Sequence, residues 1–167
     1  MNNALDIAKY VVNYSIDIND PISHLKLQKI LFYIQAALLV EVGEPAFYES
    51  IINWTYGPVV PEVYNEFKKY GYCTIEDKIL SSTELYINPN TLDVSFENKE
   101  FNDEIIDTTT KSIIQKTVNA YKSVTAIKMM KKTHTEDPWK NTSNGEQIQL
   151  ENIRAFYSIN KNILYNE

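Results

Sequence analysis

The chain has 167 residues, of which 44% are apolar and 23% charged, the composition of a single globular domain. Its net charge of −6 at pH 7 argues against a nucleic-acid partner and against an anionic membrane surface, since both require a basic footprint. The lone cysteine excludes an intramolecular disulfide, and the longest apolar run, residues 30–40, is too short to span a bilayer.

Helices are predicted in the first quarter of the chain. Apolar residues at helical spacing indicate a helix over residues 5–14. Ser23 can cap a second helix over about residues 24–42, which stops at Gly43 because glycine readily adopts the left-handed conformation at a helix C-terminus. This second helix is apolar on every face, which is typical of a helix in the middle of a fold. Gln35 is the strongly polar exception, and it needs hydrogen-bond partners if it is buried.

Turn-forming and aromatic residues are concentrated after the second helix. Residues 47–56 are rich in β-branched and aromatic side chains and predict a short strand. Gly57 and Pro58 then turn the chain, because glycine reaches backbone angles closed to other residues. Pro61 suits the first turn of a helix, and Gly71 ends that helix. The sequence therefore predicts a rigid corner between a strand and a helix.

The second half of the chain returns to helices after a polar stretch. Residues 83–98 contain two β-prone runs around Asn-Pro-Asn, which predicts a hairpin, and we interpret them as a variable insertion. Helices are predicted over residues 102–121, over a shorter segment after it, and from about residue 150 to near the C-terminus. Residues 133–139 predict a loop or a helix start, and residues 141–147 have the composition of a flexible loop.

These elements predict one domain, residues 1–167, of the mainly α class. We expect a compact helical bundle around a central hydrophobic helix, with a minor β element. The N-terminus lacks the basic start and apolar middle of a secretory signal, so the expected location is the cytoplasm, with no membrane association.

Candidate catalytic groups are few. His134, Glu136 and Asp137 come nearest to a reactive constellation, because a histidine beside carboxylates can bind a metal or act in acid–base chemistry. The favoured alternative is that Asp137 and Pro138 mark a helix start. Cys73 could act with a histidine, but we interpret it as a small packing residue. We predict no catalytic residue, no metal and no cofactor.

Four lysines near the end of the chain allow a basic face that could contact nucleic acid. They are Lys122, Lys128, Lys131 and Lys132. In an acidic protein the favoured interpretation is the solvated face of a helix. Tyrosine is more abundant than expected, with 12 copies, and tyrosine is enriched at protein interfaces.

Several different short motifs follow one another along the chain. They are a core-helix segment over residues 26–35 that includes Lys29, Tyr33 and Gln35; then Trp54; then Tyr56, Gly57 and Pro58; then Pro61 and Tyr64; and finally Thr133, His134, Pro138 and Trp139. In order and spacing they resemble the SocA-like antitoxin family, also called the Panacea domain, whose members often occur in prophages and other mobile elements. The resemblance extends over nearly the whole chain.

The resemblance implies an antitoxin that binds and neutralises a protein toxin, usually encoded by the adjacent gene, without catalysis by the antitoxin. It also implies an alternative, an adaptor that delivers the toxin to a cytoplasmic protease. A metal-dependent hydrolase that uses His134 and Glu136 is a second alternative, from the residues themselves.

We expect direct sequestration of the toxin. The corner around Trp54 and Tyr64, together with residues 133–139, would form or support the toxin-binding surface, and acidic side chains would face a basic toxin. The opposing interpretation is that Trp54, Tyr56 and Trp139 close the bundle and contact nothing else.

Overall fold

The computed structural model describes residues 2–87, 89 and 91–166. They form eight α-helices and four short strands, which we number in chain order. The helices are α1 (Ala4–Asp17), α2 (His24–Glu41), α3 (Pro61–Phe67), α4 (Thr108–Ala120), α5 (Ala126–Thr133), α6 (Asp137–Lys140), α7 (Leu150–Ile159) and α8 (Lys161–Leu164). The strands are β1 (Ile52–Trp54), β2 (Gly57–Val59), β3 (Ser81–Ile87) and β4 (Val94–Glu100). The mainly α class with a minor β element is confirmed.

The centre of the fold is α2. It packs against α1, α3, α4, α5, α7, α8 and β2, and fifteen of its eighteen residues are buried. The side chain of Ser23 accepts a hydrogen bond from the Lys26 N–H at its start, as predicted. The helix ends at Glu41, and Gly43 follows with φ +91°. The predicted central hydrophobic helix is confirmed.

The Gln35 side chain holds the backbone of residues 46–47, which follow α2, against the helix. Its Nε2 donates to the Phe47 carbonyl at 2.9 Å, and its Oε1 accepts from the N–H groups of Ala46 at 2.8 Å and Phe47 at 3.3 Å. The buried amide is therefore satisfied by the backbone, because the chain folds back along α2 before it enters β1.

The predicted corner is a two-stranded hairpin followed by a helix. In the antiparallel pair β1–β2, Trp54 lies opposite Gly57, so the turn falls on Thr55 and Tyr56. Gly57 and Pro58 thus belong to the second strand rather than to the turn, and Gly57 has φ +99°. The helix that follows begins at Pro61, as predicted.

The segment predicted as a flexible loop, residues 141–147, is partly paired with β1. The Gly145 N–H donates to the Asn53 carbonyl at 2.7 Å, and the Asn53 N–H donates to the Glu146 carbonyl at 2.9 Å. Ile148 is fully buried immediately after this pairing. The segment is a loop, but its polar composition does not reveal this pairing with a strand about ninety residues away.

The strands β3 and β4 form the hairpin predicted within residues 83–98. They pair from Ser81 with Glu100 to Ile87 with Val94, and residues 88 and 90 of the expected turn lie outside the described residues. The base of the hairpin is attached to α1, because the Asn13 side chain exchanges hydrogen bonds with the backbone of Ile79 at 2.7 and 3.0 Å. That this segment is a variable insertion stays a prediction.

Two predicted helices have other limits. The helix expected over residues 102–121 starts at Thr108, because Asp107 caps it by accepting a hydrogen bond from the Thr110 N–H. The last helix is interrupted at Asn160, which has φ −124° and ψ 45° and separates α7 from α8. Within the part of the chain that the structure describes, no helix has the length and apolar character needed to cross a membrane.

Candidate functional site

The hairpin β1–β2, α3 and the corner between α5 and α6 meet at a cluster of aromatic side chains. We call it the aromatic patch and define it as Trp54, Tyr56, Tyr64, His134 and Trp139. The Trp54 and Tyr64 rings lie edge to face at 4.9 Å, and the His134 and Trp139 rings stack at 3.9 Å. The indole N–H of Trp139 donates to the Trp54 carbonyl at 3.3 Å and joins the two pairs. Residues predicted from separate motifs are therefore brought together.

The aromatic patch is accessible but anchored. Trp54, Tyr64, His134 and Trp139 are half-buried, whereas Tyr56, at the tip of the hairpin, is 66% exposed. Large rings that are held in place and partly open to solvent can contact a partner at a low cost in conformational entropy. The arrangement can therefore serve in recognition.

Asn53 ties the hairpin to α6. Its side chain is almost fully buried, and Nδ2 donates to the carbonyls of Trp139 at 2.9 Å and Thr142 at 2.5 Å. These bonds satisfy carbonyl groups at the C-terminal end of a helix of four residues, which could not hold its place alone. The position of Trp139 is thus set by β1.

Adjacent residues of α2 bind the second strand and the residue that follows it. The Gln28 Oε1 accepts from the Val60 N–H at 2.8 Å, and the Lys29 ammonium donates to the Pro58 carbonyl at 3.0 Å. Lys29 is fully buried. A Cβ on Gly57 would lie 2.8 Å from Lys29 Nζ, so any larger residue would force the lysine side chain to shift.

Three basic side chains with lowered pKa values lie at the base of the aromatic patch. Burial lowers the pKa of Lys29 from 10.5 to about 7. The pKa values of His24 and His134 are also lowered, first by burial and second by the nearby charge of Lys29. His24 packs against the Tyr64 ring at 4.9 Å. At neutral pH both histidines are therefore uncharged, and Lys29 is close to its own titration midpoint.

Glu136 belongs to a buried cluster about one turn of α2 away from Lys29, because its partner Tyr33 is four residues after Lys29. Its carboxylate accepts hydrogen bonds from the hydroxyls of Tyr33 at 3.0 Å and Tyr157 at 2.7 Å, and from the Lys132 ammonium at 2.9 Å. Burial, together with the charge of Glu136, raises the pKa values of Tyr33 and Tyr157 well above their usual range. The cluster joins α2, α5 and α7.

The predicted pair of His134 and Glu136 does not form a constellation. Glu136 is 3% exposed and directed at the tyrosines and Lys132, whereas His134 stacks on Trp139. Among the described residues, no group of three or more His, Cys, Asp or Glu side chains could hold a metal ion. The geometry therefore gives the hydrolase hypothesis no support.

Two sequence interpretations are corrected at the surface. Cys73 is exposed rather than packed, because it follows the turn at Gly71 that also leaves Tyr72 fully exposed. Lys132 is not part of a solvated basic face, since its ammonium is directed inward at Glu136. The other three lysines of that group, Lys122, Lys128 and Lys131, are exposed as expected.

The motif residues divide into two sets by burial. The buried set shapes the interior and the underside of the hairpin; it consists of Lys29, Tyr33, Gln35, Gly57, Pro58 and Pro138. The accessible set comprises Trp54, Tyr56, Pro61, Tyr64, His134 and Trp139. Sequence reasoning missed Asn53, Glu136 as an interior anchor, and Tyr157. The four-residue spacing of Lys132 and Glu136 was the one local signal available.

Comparison with known proteins points to one family. Residues 27–140, more than half of the chain, match the family described as "Antitoxin SocA-like, Panacea domain". The chain is 33% identical over 92 residues to Antitoxin SocA of Caulobacter vibrioides, and the aligned part covers 52% of this chain and 49% of that relative. The match therefore spans about half the length of the relative. No solved structure matches the chain.

Proposed function

Because this chain belongs to the SocA-like antitoxin family, with its Panacea domain, we propose that it is an antitoxin that neutralises a protein toxin by binding it directly. The toxin is the product of the adjacent gene, and the complex forms in the cytoplasm. The proposal assigns no catalytic step, metal or cofactor to the chain.

The observation that carries this proposal is the aromatic patch. It gathers rings from three segments of the chain, and it contains both tryptophans of the protein. Tryptophan and tyrosine dominate the binding energy of many interfaces, because each buries a large apolar area and keeps one polar group for a hydrogen bond. A rigid patch of this kind suits a partner that docks without reorganising the antitoxin.

The charge around the patch indicates the character of the partner. Glu62 on α3 is exposed, Glu66 and Asp137 are exposed and paired with Lys69 and Lys140, and the chain carries a net charge of −6. Opposite charges across an interface speed association and fix orientation. The toxin face that meets the patch is therefore expected to be basic.

The test is co-expression with the adjacent gene. Growth arrest by that gene alone, reversed by this protein with both recovered in one complex, would support direct neutralisation. Failure of the wild-type chain to reverse the arrest or to bind the gene product would contradict the proposal.

Exposed tyrosines offer a matched pair of variants. Tyr56→Ala removes a 66% exposed ring from the patch, and Tyr72→Ala removes a fully exposed ring from the loop after Gly71, outside the patch as defined. Neither truncation disturbs the core. We expect Tyr56→Ala to weaken toxin capture and Tyr72→Ala to leave it unchanged. Equal effects of the two variants on toxin capture would show that the patch is not part of the interface. Trp54→Ala should abolish capture while circular dichroism shows a folded chain.

The rate of toxin degradation separates binding from the adaptor alternative. If the antitoxin only sequesters the toxin, the toxin half-life in cells stays constant or lengthens when the antitoxin is present. A shorter half-life that depends on one cellular protease would instead identify the chain as an adaptor.

A further inference from the structure

Lys29 occupies an unusual place beneath the hairpin. Its side chain is fully buried, and the described structure gives its ammonium one acceptor, the Pro58 carbonyl at 3.0 Å. An ammonium group has three donors, so its charge is poorly compensated for a buried group. Gly57 closes over the same nitrogen, because a Cβ at that position would meet Nζ at 2.8 Å.

The groups that face Lys29 do not neutralise it. His24, from the same helix, and His134, from the corner after α5, both respond to its charge. The strand β2 places Gly57 and Pro58 next to Lys29. The Thr133 hydroxyl is also near, 3.0 Å from where a Cβ on Gly57 would lie. A buried lysine among basic and neutral groups costs stability, so its presence calls for a role other than stabilising the fold.

We propose that Lys29 is a positioning residue: its contact with Pro58 sets the placement of the hairpin β1–β2, and thereby of Trp54 and Tyr56 within the aromatic patch. The hairpin has only three residues in each strand, which is too few to define its own position. Lys29 fixes the second strand, and Asn53 fixes the first. The consequence for toxin capture rests on the proposed function.

The proposal predicts opposite effects on stability and on binding. Lys29→Met keeps a long apolar side chain in the same space and removes the buried amine. Replacement of a buried charge by an apolar group of similar volume is often neutral or stabilising. We therefore expect an unfolding temperature that is unchanged or higher, together with toxin affinity that is weaker by about tenfold or more.

Lys132→Met is the matched control. Lys132 is also a lysine of limited exposure, but its ammonium is paired with Glu136 and makes no contact with the hairpin strand that Lys29 holds. Its replacement leaves the Glu136 carboxylate without its cation, so we expect lower stability and unchanged affinity of the folded protein. If both variants lost stability and affinity together, or if Lys29→Met bound the toxin normally, the proposal would be wrong.

Readouts without the toxin test the positioning itself. Hydrogen–deuterium exchange of residues 51–60 should be faster in Lys29→Met, while residues 94–100 of β4 should exchange as in the wild type. Equal exchange of residues 51–60 in both proteins would overturn the proposal even if Lys29→Met bound the toxin more weakly. Failure of the wild type to bind any toxin would instead contradict the proposed function alone.

Tryptophan fluorescence gives a second readout of the positioning. Both tryptophans lie in the aromatic patch, so intrinsic fluorescence reports on this site. We expect the tryptophan emission of Lys29→Met to differ from that of the wild type at the same pH. Identical emission spectra would contradict the proposal.

Discussion

Lys132 and Glu136 lie four residues apart in sequence, and their ion pair at 2.9 Å joins a half-buried ammonium to a buried carboxylate. Two tyrosine hydroxyls complete the shell of the carboxylate, one from Tyr33 and one from Tyr157. Three donors satisfy this buried carboxylate, because each donor replaces a hydrogen bond lost from water.

Removal of this carboxylate should therefore destabilise the protein. We expect Glu136→Ala to lower the free energy of unfolding by about 3 kcal/mol, because it leaves the Lys132 ammonium and two hydroxyls without their acceptor. Urea denaturation measures the change. Glu66→Ala is the control: its pair with Lys69 is exposed, and its loss should cost less than about 1 kcal/mol. If both variants lost the same free energy of unfolding, the buried cluster would contribute no more to stability than an exposed ion pair.

Alanine variants of two glycines should distinguish the cost of backbone strain from the cost of steric conflict. Gly43 has φ +91° and open space where a Cβ would lie, whereas Gly57 has φ +99° and Lys29 at 2.8 Å. We expect Gly43→Ala to cost about 1–2 kcal/mol from backbone strain alone. Gly57→Ala should cost a further 1–3 kcal/mol, roughly, from overpacking against Lys29. Thermal and urea unfolding of both variants give the difference, and equal values would contradict the close contact.

The stability of the protein should depend on pH through Lys29. Its pKa is about 7 in the folded state and near 10.5 when the chain is unfolded. Between these values the unfolded chain binds the extra proton, so stability rises with pH, by up to about 1.4 kcal/mol per pH unit. Urea denaturation at about pH 7 and about pH 8.5 should show this rise in the wild type. The rise should be absent from Lys29→Met, and identical slopes would contradict it.

Acidification should weaken the aromatic patch. The pKa values of His24 and His134 are lowered in the folded state from 6.5, so the unfolded chain takes up protons first as the pH falls. Stability is then lost below about pH 6.5. Tryptophan emission should change in the same range, because His134 stacks on Trp139. His134→Gln should reduce this acidic transition, and an undiminished transition would assign it elsewhere.

Local signals predicted the elements that depend on neighbours in sequence. The limits of α2 follow from the Ser23 cap and from Gly43, and its central position follows from an apolar surface on every face. The start of α3 at Pro61 follows from proline geometry in the same way. Such features need no knowledge of the tertiary fold.

Contacts between distant residues could not be predicted. The pairing of Asn53 with Glu146 and the bond from Tyr33 to Glu136 join residues about a hundred positions apart. If either segment were paired one residue out of register, the contact would be lost. The pattern of polar and apolar residues in the sequence would look the same in both cases. The aromatic patch was expected in outline from the order of the motifs, but the burial of Lys29 beneath it was not.

The last two helices set the minimum length of a useful fragment. The family match ends at residue 140, yet α7 and α8 pack on α2, Tyr157 reaches Glu136, and the Ile163 carbonyl accepts from both Lys132 and Tyr121. A recombinant piece trimmed to the matched residues would open the apolar side of α2 to solvent and leave a half-solvated ion pair at its edge. Such a piece would be expected to aggregate, so trimmed versions would report a false loss of toxin binding.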